Sequence, residues 1–363
     1  MGHHKTEYKV QYKVQCKLLL QQLLDGKALT AAQSRQMLAM MISGQLAPEW
    51  LAALLVALQG KGITQAELLG AVHAMRAAMH PVPVADQQHL IDTCGTGGDA
   101  AGIFNVSTAS ALVAAAAGAR VAKHGNRSVS SMTGSADLLQ EIGVKLDLTT
   151  EQVQQCLVQT GIAFLFAPQF HPAMKHVAAV RQSLGIKTLF NLLGPLVNPA
   201  GVLRQVIGVY HPAFMPLFAE VLRTFSSQHV LLLHAQDGLD EISIAAPTRA
   251  TELNQGTIRT YQIQPDDFGL PTGTLEQIKV QSAAQSARLM RAALGDAEAR
   301  AFVTAGQMQA AVQAIALNAG AAIYVAGLAA DLAAGIRQAQ CCLQEGRAHT
   351  KMQEFVACTR SFI

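Results

Sequence analysis

The sequence carries little net charge. Its 27 Lys and Arg residues nearly balance its 24 Asp and Glu residues, which gives a formal net charge of +3 over 363 residues. A surface dedicated to nucleic-acid binding needs a clear excess of basic residues. The composition therefore argues against a nucleic-acid partner, while local clusters of basic residues remain compatible with a phosphorylated substrate.

The sequence also lacks the cysteine patterns of disulfide frameworks and zinc sites. No two cysteines form a C-x-x-C pair, and two of them are adjacent, which is a poor basis for disulfide bonds. The stretch from His171 to His176 lacks the glutamate of the H-E-x-x-H zinc-protease motif. This usage fits a reducing compartment, so we expect a cytoplasmic protein. The six cysteines are Cys16, Cys94, Cys156, Cys341, Cys342 and Cys358.

No segment of the sequence is typical of a secretory signal or a membrane anchor. The first residues contain no long apolar run, and we interpret residues 1–16 as a peripheral or added extension. Residues 301–330 carry no charge, but Gln and Asn residues interrupt them and small residues dominate. This composition favours a buried helix pair, so we expect no membrane partner.

Length and pattern predict two domains. A chain of 363 residues with 50% hydrophobic content can form one large core and a smaller satellite domain. Capping boxes at Thr30 and Thr64 help to predict about four helices before Pro81. From Ile91 onward, short apolar runs alternate with helical segments, which predicts an α/β domain with a mostly parallel sheet flanked by helices. The later strands are expected at Arg120–Ala122, Ile162–Phe166, Val206–Tyr210 and Val230–His234.

Residues 92–137 contain the strongest functional signal. The run Asp-Thr-Cys-Gly-Thr-Gly-Gly-Asp at 92–99 follows an apolar approach that predicts a strand, and its glycines let the backbone approach an anion. Asn105 is predicted to start an alanine-rich helix whose free N–H groups face this loop. A second strand is predicted at 119–123; it ends with Lys123, and Asn126 and Arg127 follow it directly. The order predicts a phosphate-binding cradle.

Other interpretations of the glycine loop fit less well. Gly95 to Ala100 matches the dinucleotide fingerprint G-x-G-x-x-[G/A], but no acidic residue follows about 20 residues later and the helix starts late. No Gly-Lys-[Ser/Thr] follows the glycines, which excludes a P-loop. An ordinary glycine-rich turn without a ligand remains the simplest alternative.

The motifs together resemble those of the anthranilate phosphoribosyltransferase family. The resemblance extends over nearly the whole chain, apart from the first 16 residues and about the last 20. Its motifs are Gly95–Asp99, Asn105–Ala109, Lys123–Ser131, Gly134–Asp137, Phe166–Pro168, His171–Lys175, Arg181 with Leu184–Gly185, Thr188, Phe190–Leu196, Asn198–Pro199, Asp237–Glu241 and Asn318–Ala322.

The resemblance implies a fold and an activity. A small helical domain (17–80, joined by helices from about 170–190) is expected beside a large α/β phosphoribosyl-binding domain (81–363), with the active site between them. The implied reaction transfers the phosphoribosyl group of phosphoribosyl pyrophosphate to the amine of anthranilate, with release of pyrophosphate, in tryptophan biosynthesis. A homodimer and Mg²⁺ as cofactor are also implied.

The resemblance also assigns binding residues. No acid, base or nucleophile is assigned, and no strong general base is needed, because an aromatic amine is already neutral at pH 7. The residues expected to bind phosphoribosyl pyrophosphate are Gly95, Thr96, Gly97, Gly98, Asp99, Asn105, Ser107, Thr108, Lys123 and Ser135. Those expected to bind anthranilate are Gly95, His124, Asn126, Pro168, His171 and Arg181. Those expected to bind Mg²⁺ are Ser107, Asp240 and Glu241, since hard oxygen donors suit this ion.

Two departures from the family and three rival functions remain open, one of them the dinucleotide oxidoreductase that the fingerprint match at Gly95–Ala100 would indicate. Met132 stands where many relatives are expected to have lysine, and Lys187 where arginine is common, so loop charge and phosphate affinity are expected to differ. A pyrimidine nucleoside phosphorylase shares the architecture but lacks the Lys-His-Gly-Asn-Arg run at 123–127. A nucleic-acid-binding paralogue would have stronger basic surfaces and no Asn126 or Arg181.

Overall fold

The computed structural model describes residues 14–97, 101–127 and 134–362. This part of the chain divides into two compact units. The first contains the described residues up to His80 together with Pro168–Val197, and the second contains those of Pro81–Ala167 and Asn198–Ile363. Most of the extension expected at 1–16, together with Gly98, Asp99 and Met132, lies outside the described residues.

Helices make up most of the described chain. In chain order they are α1 (residues 14–24), α2 (Ala31–Ile42), α3 (Pro48–Lys61), α4 (Gln65–Ala78), α5 (Val106–Ala116), α6 (Ser135–Glu141), α7 (Thr150–Thr160), α8 (Ala167–Phe170), α9 (Lys175–Leu184), α10 (Leu189–Leu193), α11 (Met215–Thr224), α12 (Ala283–Leu294), α13 (Ala297–Arg300), α14 (Ala305–Val325), α15 (Leu332–Gln344) and α16 (Arg347–Ser361). Four of them precede Pro81 in the described chain, as the sequence predicts.

The capping boxes of the first unit are present. The Thr30 hydroxyl accepts a hydrogen bond from Gln33 N at 3.2 Å, and the Gln33 side chain accepts one from Thr30 N. Thr64 and Glu67 form the same pair at the start of α4. The buried Glu67 carboxylate also accepts a hydrogen bond from Leu29 N at 2.8 Å. These bonds satisfy N–H groups that a helix start leaves without intrahelical partners.

The second unit is built on a seven-stranded sheet. Its spatial order is β3-β2-β1-β4-β5-β6-β7; the first five strands are parallel to one another, and the pairs β5–β6 and β6–β7 are antiparallel. The predicted fold class, a helical N-terminal domain and a large α/β domain with a mostly parallel sheet flanked by helices, is confirmed. The strands are β1 (Leu90–Gly95), β2 (Arg120–Gly125), β3 (Ile162–Phe166), β4 (Arg204–Gly208), β5 (His229–Ala235), β6 (Thr248–Asn254) and β7 (Thr257–Ile263).

The β6–β7 hairpin is not among the predicted strands. Its two-residue turn places Gln255 and Gly256 at positive φ, 48° and 81°, which matches the right-handed twist of a hairpin. Strand β7 lies at the edge of the sheet and is largely exposed, so it has no apolar run for sequence reasoning to detect.

Strand β1 changes its main partner halfway along its length. It is paired with β2 at Leu90↔Arg120 and Ile91↔Val121, and with β4 from Asp92↔Gln205 to Gly95↔Gly208. The chain runs from β1 through β2 to β3 on one side and returns to β4 on the other. Ligands of open α/β sheets bind at the carboxyl ends of strands where the order reverses in this way. The predicted glycine loop follows β1 at this point.

Helix α14 corrects one detail of the sequence interpretation. Residues 301–330 contain one long helix instead of a pair, and its partner α15 starts at Leu332. The two helices approach closely, since a Cβ on Gly335 would lie 2.3 Å from Gly320 O. By length and composition α14 is the one helix of the described chain able to cross a membrane, and 78% of its apolar window is buried inside the protein.

Candidate functional site

The loop after β1 is tied to the end of β4. Thr96 N donates to Gly208 O at 2.9 Å, and the Thr96 hydroxyl accepts a hydrogen bond from Tyr210 N at 2.9 Å. Gly97 has φ of 65°, a conformation that favours glycine. The predicted ligands Gly98 and Asp99 lie outside the described residues.

Helix α5 presents its N-terminus to the same region. Asn105 is its N-cap, as predicted, and its side-chain oxygen accepts hydrogen bonds from Thr108 N at 2.9 Å and the Ser107 hydroxyl at 3.2 Å. Ser107 N donates to Glu241 Oε1 at 3.2 Å, which places a carboxylate at the positive end of the helix. Thr108 itself is buried, and its hydroxyl oxygen has no hydrogen-bond partner among the described residues.

The Lys123 side chain extends from β2 to Thr93 and Ser107, beside the N-terminus of α5. This side chain is buried, and Nζ donates to Thr93 O and, at 3.2 Å, to the Ser107 hydroxyl. Burial lowers the pKa of Lys123, and the nearby Asp92 carboxylate opposes that shift. The ammonium group therefore lies beside the N-terminus of α5, where two sources of positive potential act on the same place.

The three predicted Mg²⁺ ligands lie together. Ser107, Asp240 and Glu241 line one narrow cavity with Thr93 and Cys94. Asp240 packs so closely that a Cβ on Gly208 would lie 1.8 Å from its backbone oxygen. No cluster of three or more His, Cys, Asp and Glu side chains that could hold a metal occurs in the described chain. The hydroxyl and the two carboxylates are hard oxygen donors, so they fit Mg²⁺ that takes its remaining ligands from phosphates and water.

The carboxyl end of β2 lies against the start of α6. A Cβ on Gly125 would lie 3.1 Å from the Ser135 Cβ, and Ala136 N donates to Asn126 O at 3.2 Å. The Asn126 side chain accepts a hydrogen bond from Arg127 N at 2.7 Å. Glycine at position 125 therefore allows the predicted phosphate ligand Ser135 to approach β2.

The other predicted anthranilate ligands belong to the first unit. Pro168 lies in α8, and His171 is buried just after it. Burial lowers the pKa of His171 to about 4, so its ring is neutral at pH 7. Arg181 lies in α9 with its guanidinium carbon 5.4 Å from the centre of the Phe190 ring. Burial lowers the pKa of Arg181, and its guanidinium makes no ion pair with any described residue.

Two buried polar residues at this site received no role from the sequence. Asp92 is completely buried and accepts hydrogen bonds from His124 N at 3.0 Å and from Asn198 Nδ2 at 2.8 Å. Burial raises the pKa of Asp92, and Lys123 opposes that shift. The available signal was an acidic residue directly after the apolar Leu90 and Ile91 of a predicted buried strand, since a buried carboxylate requires partners.

A larger cavity of about 480 Å³ lies elsewhere in the second unit. Arg337, Cys341 and Arg347 are among its lining residues, and none of the predicted site residues is. Volume alone therefore does not identify the candidate site, which is defined by the converging polar groups around Ser107.

Two family models match the chain. The glycosyl transferase family helical bundle domain matches residues 17–79, and the glycosyl transferase family a/b domain matches residues 87–349. Among curated proteins, the anthranilate phosphoribosyltransferase of Hydrogenovibrio crunogenus is 47% identical over 94% of this chain and 98% of its own length. The enzyme of the same name from Chromobacterium violaceum is 45% identical over 94% and 97%.

Solved structures of similar proteins cover nearly the whole chain. Anthranilate phosphoribosyltransferase from Thermus thermophilus is 38% identical with a TM-score of 0.84, covering 94% of this chain and 99% of that one. The Saccharomyces cerevisiae enzyme, in complex with PRPP and Mg, is 24% identical with a TM-score of 0.85, covering 96% and 98%. At that identity the yeast structure shows the shared fold.

Proposed function

The chain belongs to the anthranilate phosphoribosyltransferase family, and from this premise we propose how its residues transfer a phosphoribosyl group from phosphoribosyl pyrophosphate to anthranilate. The reaction releases pyrophosphate and is a step of tryptophan biosynthesis. The observation that carries the proposal is the convergence of Lys123, Ser107, Asp240 and Glu241 on the N-terminus of α5 at the carboxyl end of β1. A polyanionic substrate needs such a set of donors and cations.

We assign the phosphorylated substrate to the loop after β1 and its neighbours. Gly95, Thr96 and Gly97 offer backbone N–H groups at a strand end, and Asn105, Ser107, Thr108, Lys123 and Ser135 surround the start of α5 or the end of β2. Gly98 and Asp99 are proposed as further ligands in the same loop. Charge developing on the departing pyrophosphate is then stabilised by Lys123 and by the helix N-terminus, which are already oriented before the bond breaks.

We assign the anthranilate carboxylate to Arg181. A guanidinium offers two parallel N–H donors that match a carboxylate, and the one at Arg181 makes no ion pair within the described chain. Gly95, His124, Asn126, Pro168 and His171 complete the proposed anthranilate site. Because His171 is neutral at pH 7, it shapes an apolar surface without adding charge.

Mg²⁺ is the proposed cofactor, and Ser107, Asp240 and Glu241 would hold it. When bound, the ion neutralises phosphate charge and so assists departure of the leaving group. The yeast relative was solved with PRPP and Mg, which supports Mg²⁺ as the cofactor. The amine nitrogen of anthranilate forms the new bond to the anomeric carbon as the bond to pyrophosphate breaks, and its proton passes to solvent. The protein contributes orientation and charge stabilisation.

The cellular and oligomeric setting belongs to the same proposal. All six cysteines are free thiols, which supports a reducing cytoplasm. Exposed apolar side chains on α1 and α3, namely Val14, Leu18, Leu24 and Val56, support a homodimer. We propose domain boundaries at 17–80, with the helices from about 170–190, and 81–363, supported by the two family models and the two compact units.

Anthranilate fluorescence tests the function directly. With phosphoribosyl pyrophosphate and Mg²⁺ supplied, the fluorescence should decay with time, and omission of either compound should stop the decay. Folded protein without decay would refute the proposal. Phosphorolysis of uridine or thymidine, and binding to nucleic acid, would then be measured next.

A further inference from the structure

The hydrogen-bonded ladder between β1 and β2 has an opening beside the candidate site. The pairing of these strands ends at Ile91↔Val121, although β2 continues to Gly125 beside β3 and β1 continues to Gly95 beside β4. Both strands therefore keep one hydrogen-bonded neighbour, and the ladder between them ends before their carboxyl ends. A parallel ladder that ends early leaves backbone groups that need other partners.

The direction of these backbone groups follows from strand geometry. N–H groups along β2 alternate between its two neighbours: Arg120 N donates to His89 O on the β1 side, and Val121 N donates to Gly161 O on the β3 side. The N–H of His124 and the C=O of Ala122 therefore face β1. In β1, Thr96 N donates to Gly208 O on the β4 side, so the C=O of Thr93 faces β2.

Side chains satisfy all three of these groups. The Asp92 carboxylate accepts from His124 N at 3.0 Å, Asn198 Nδ2 donates to Ala122 O at 2.9 Å, and Lys123 Nζ donates to Thr93 O. Asn198 Nδ2 also donates to Asp92 Oδ2 at 2.8 Å, and the Asn198 side-chain oxygen accepts from Ala200 N at 2.8 Å. The side chains of Asp92 and Asn198 thus bond to backbone groups of β2 that have no ladder partner in β1.

We propose that Asp92 and Asn198 are positioning residues that keep the ladder between β1 and β2 open, so that Lys123 reaches its place in the proposed phosphoribosyl pyrophosphate site and His124 its place in the proposed anthranilate site. This inference rests on the proposed function for its kinetic consequences. If β1 and β2 closed into a continuous ladder, His124 N and Thr93 O would bond across the strands, and Lys123 Nζ would lose its bond to Thr93. The opening therefore provides the space in which the ammonium group reaches Ser107.

Exchanging the two side chains tests the pair. In Asp92→Asn, an amide replaces the carboxylate that accepts from Asn198 Nδ2. In Asn198→Asp, a carboxylate replaces that donor and faces the Asp92 carboxylate and Ala122 O, both of which are acceptors. Each single variant should lower kcat/KM for phosphoribosyl pyrophosphate by about ten- to a hundredfold, because a charge-assisted hydrogen bond is lost within a buried network. KM for anthranilate should also rise, because His124 is among its proposed ligands. Asn198→Ala, which adds no charge, provides a milder variant if a single exchange prevents folding.

The double exchange provides the diagnostic result. Asp92→Asn with Asn198→Asp restores a donor and an acceptor between the two side chains and leaves an oxygen for His124 N. Its loss of kcat/KM should be smaller than the product of the two single losses. A loss equal to that product would overturn the proposal, since the two residues would then act independently.

Glu252→Gln is the matched control. Glu252 is another completely buried acidic residue of the same sheet, on β6, three strands from β1, and none of the proposed ligands contacts it. It should lower the melting temperature and leave the kinetics, measured well below that temperature, unchanged. Asp92 and Asn198 variants that behave like this control would show a purely structural role and refute the positioning role.

Hydrogen exchange of the His124 amide separates this proposal from the proposed function. Its protection should fall in Asp92→Asn and remain in Glu252→Gln, whether or not the protein consumes anthranilate. An inactive wild-type protein would refute the proposed function alone. Unchanged protection of His124 in Asp92→Asn would refute the role of Asp92 in holding the end of β2.

Discussion

Replacement of Arg181 by alanine should separate the binding of the two substrates. Its guanidinium packs against the Phe190 ring with a 5.4 Å separation and makes no ion pair with a described residue. Partial burial of a cation has a desolvation free energy that only a nearby negative charge compensates, and Arg181 has no such partner in the described chain. An anthranilate carboxylate would supply that charge, so the variant should lose affinity for anthranilate specifically.

The size of the effect follows from the type of contact. Hydrogen bonds to charged groups contribute about 1.5–3 kcal/mol each when one partner is removed. Since 1.4 kcal/mol corresponds to a factor of ten, KM for anthranilate should rise about 10- to 100-fold. The lost cation–π contact with Phe190 should cost about 0.5–1 kcal/mol of stability, which leaves the protein folded.

Initial rates from anthranilate fluorescence, with each substrate varied at a saturating level of the other, measure both KM values. Arg181→Lys keeps the charge but loses the planar pair of donors, so its KM for anthranilate should be intermediate. Arg35→Ala removes an exposed arginine of α2 and serves as the control, with unchanged kinetics. An equal rise of KM for both substrates in Arg181→Ala would refute the assignment.

Three further predictions concern stability, the metal site and assembly. Burial would raise the pKa of Glu252, but hydrogen bonds from His229, Tyr324, Arg259 and Tyr261 outweigh it and lower this pKa to about 2. The ionised carboxylate therefore stabilises the folded protein above the pKa of an unfolded glutamate, about 4.3, and this contribution is lost as the pH falls toward 2. Melting curves should show that the free energy of unfolding falls by up to about 3 kcal/mol over that pH range, and this fall should be absent from Glu252→Gln. Gly208→Ala places a Cβ 1.8 Å from Asp240 O, so it should raise the Mg²⁺ concentration needed for half-maximal activity; an unchanged requirement would contradict the role of Asp240. Leu18→Glu with Leu24→Glu should convert a dimer to monomers in light scattering, whereas a persisting dimer would exclude α1 as its interface.

Local sequence signals predicted much of the fold. Thr30 and Thr64 marked helix starts because a hydroxyl and an amide or carboxylate three residues later satisfy the same N–H groups wherever the helix lies. Asn105 marked the start of α5 for a similar reason. The β6–β7 hairpin was missed because an exposed edge strand has no apolar run, and its pairing depends on the neighbouring strand.

The sequence by itself determined the capped helix starts, the apolar strands, the family and the chemistry of the ligands, because spacing and residue type along the chain are enough for capping, strand periodicity and motif order. Only the tertiary structure decided which residues meet. Lys123 contacts Ser107, Glu241 contacts the start of α5, and Asn198 pairs with Asp92 across 106 positions of sequence. These contacts arise from strand order and from the opening between β1 and β2, and neither is encoded in any short stretch of residues.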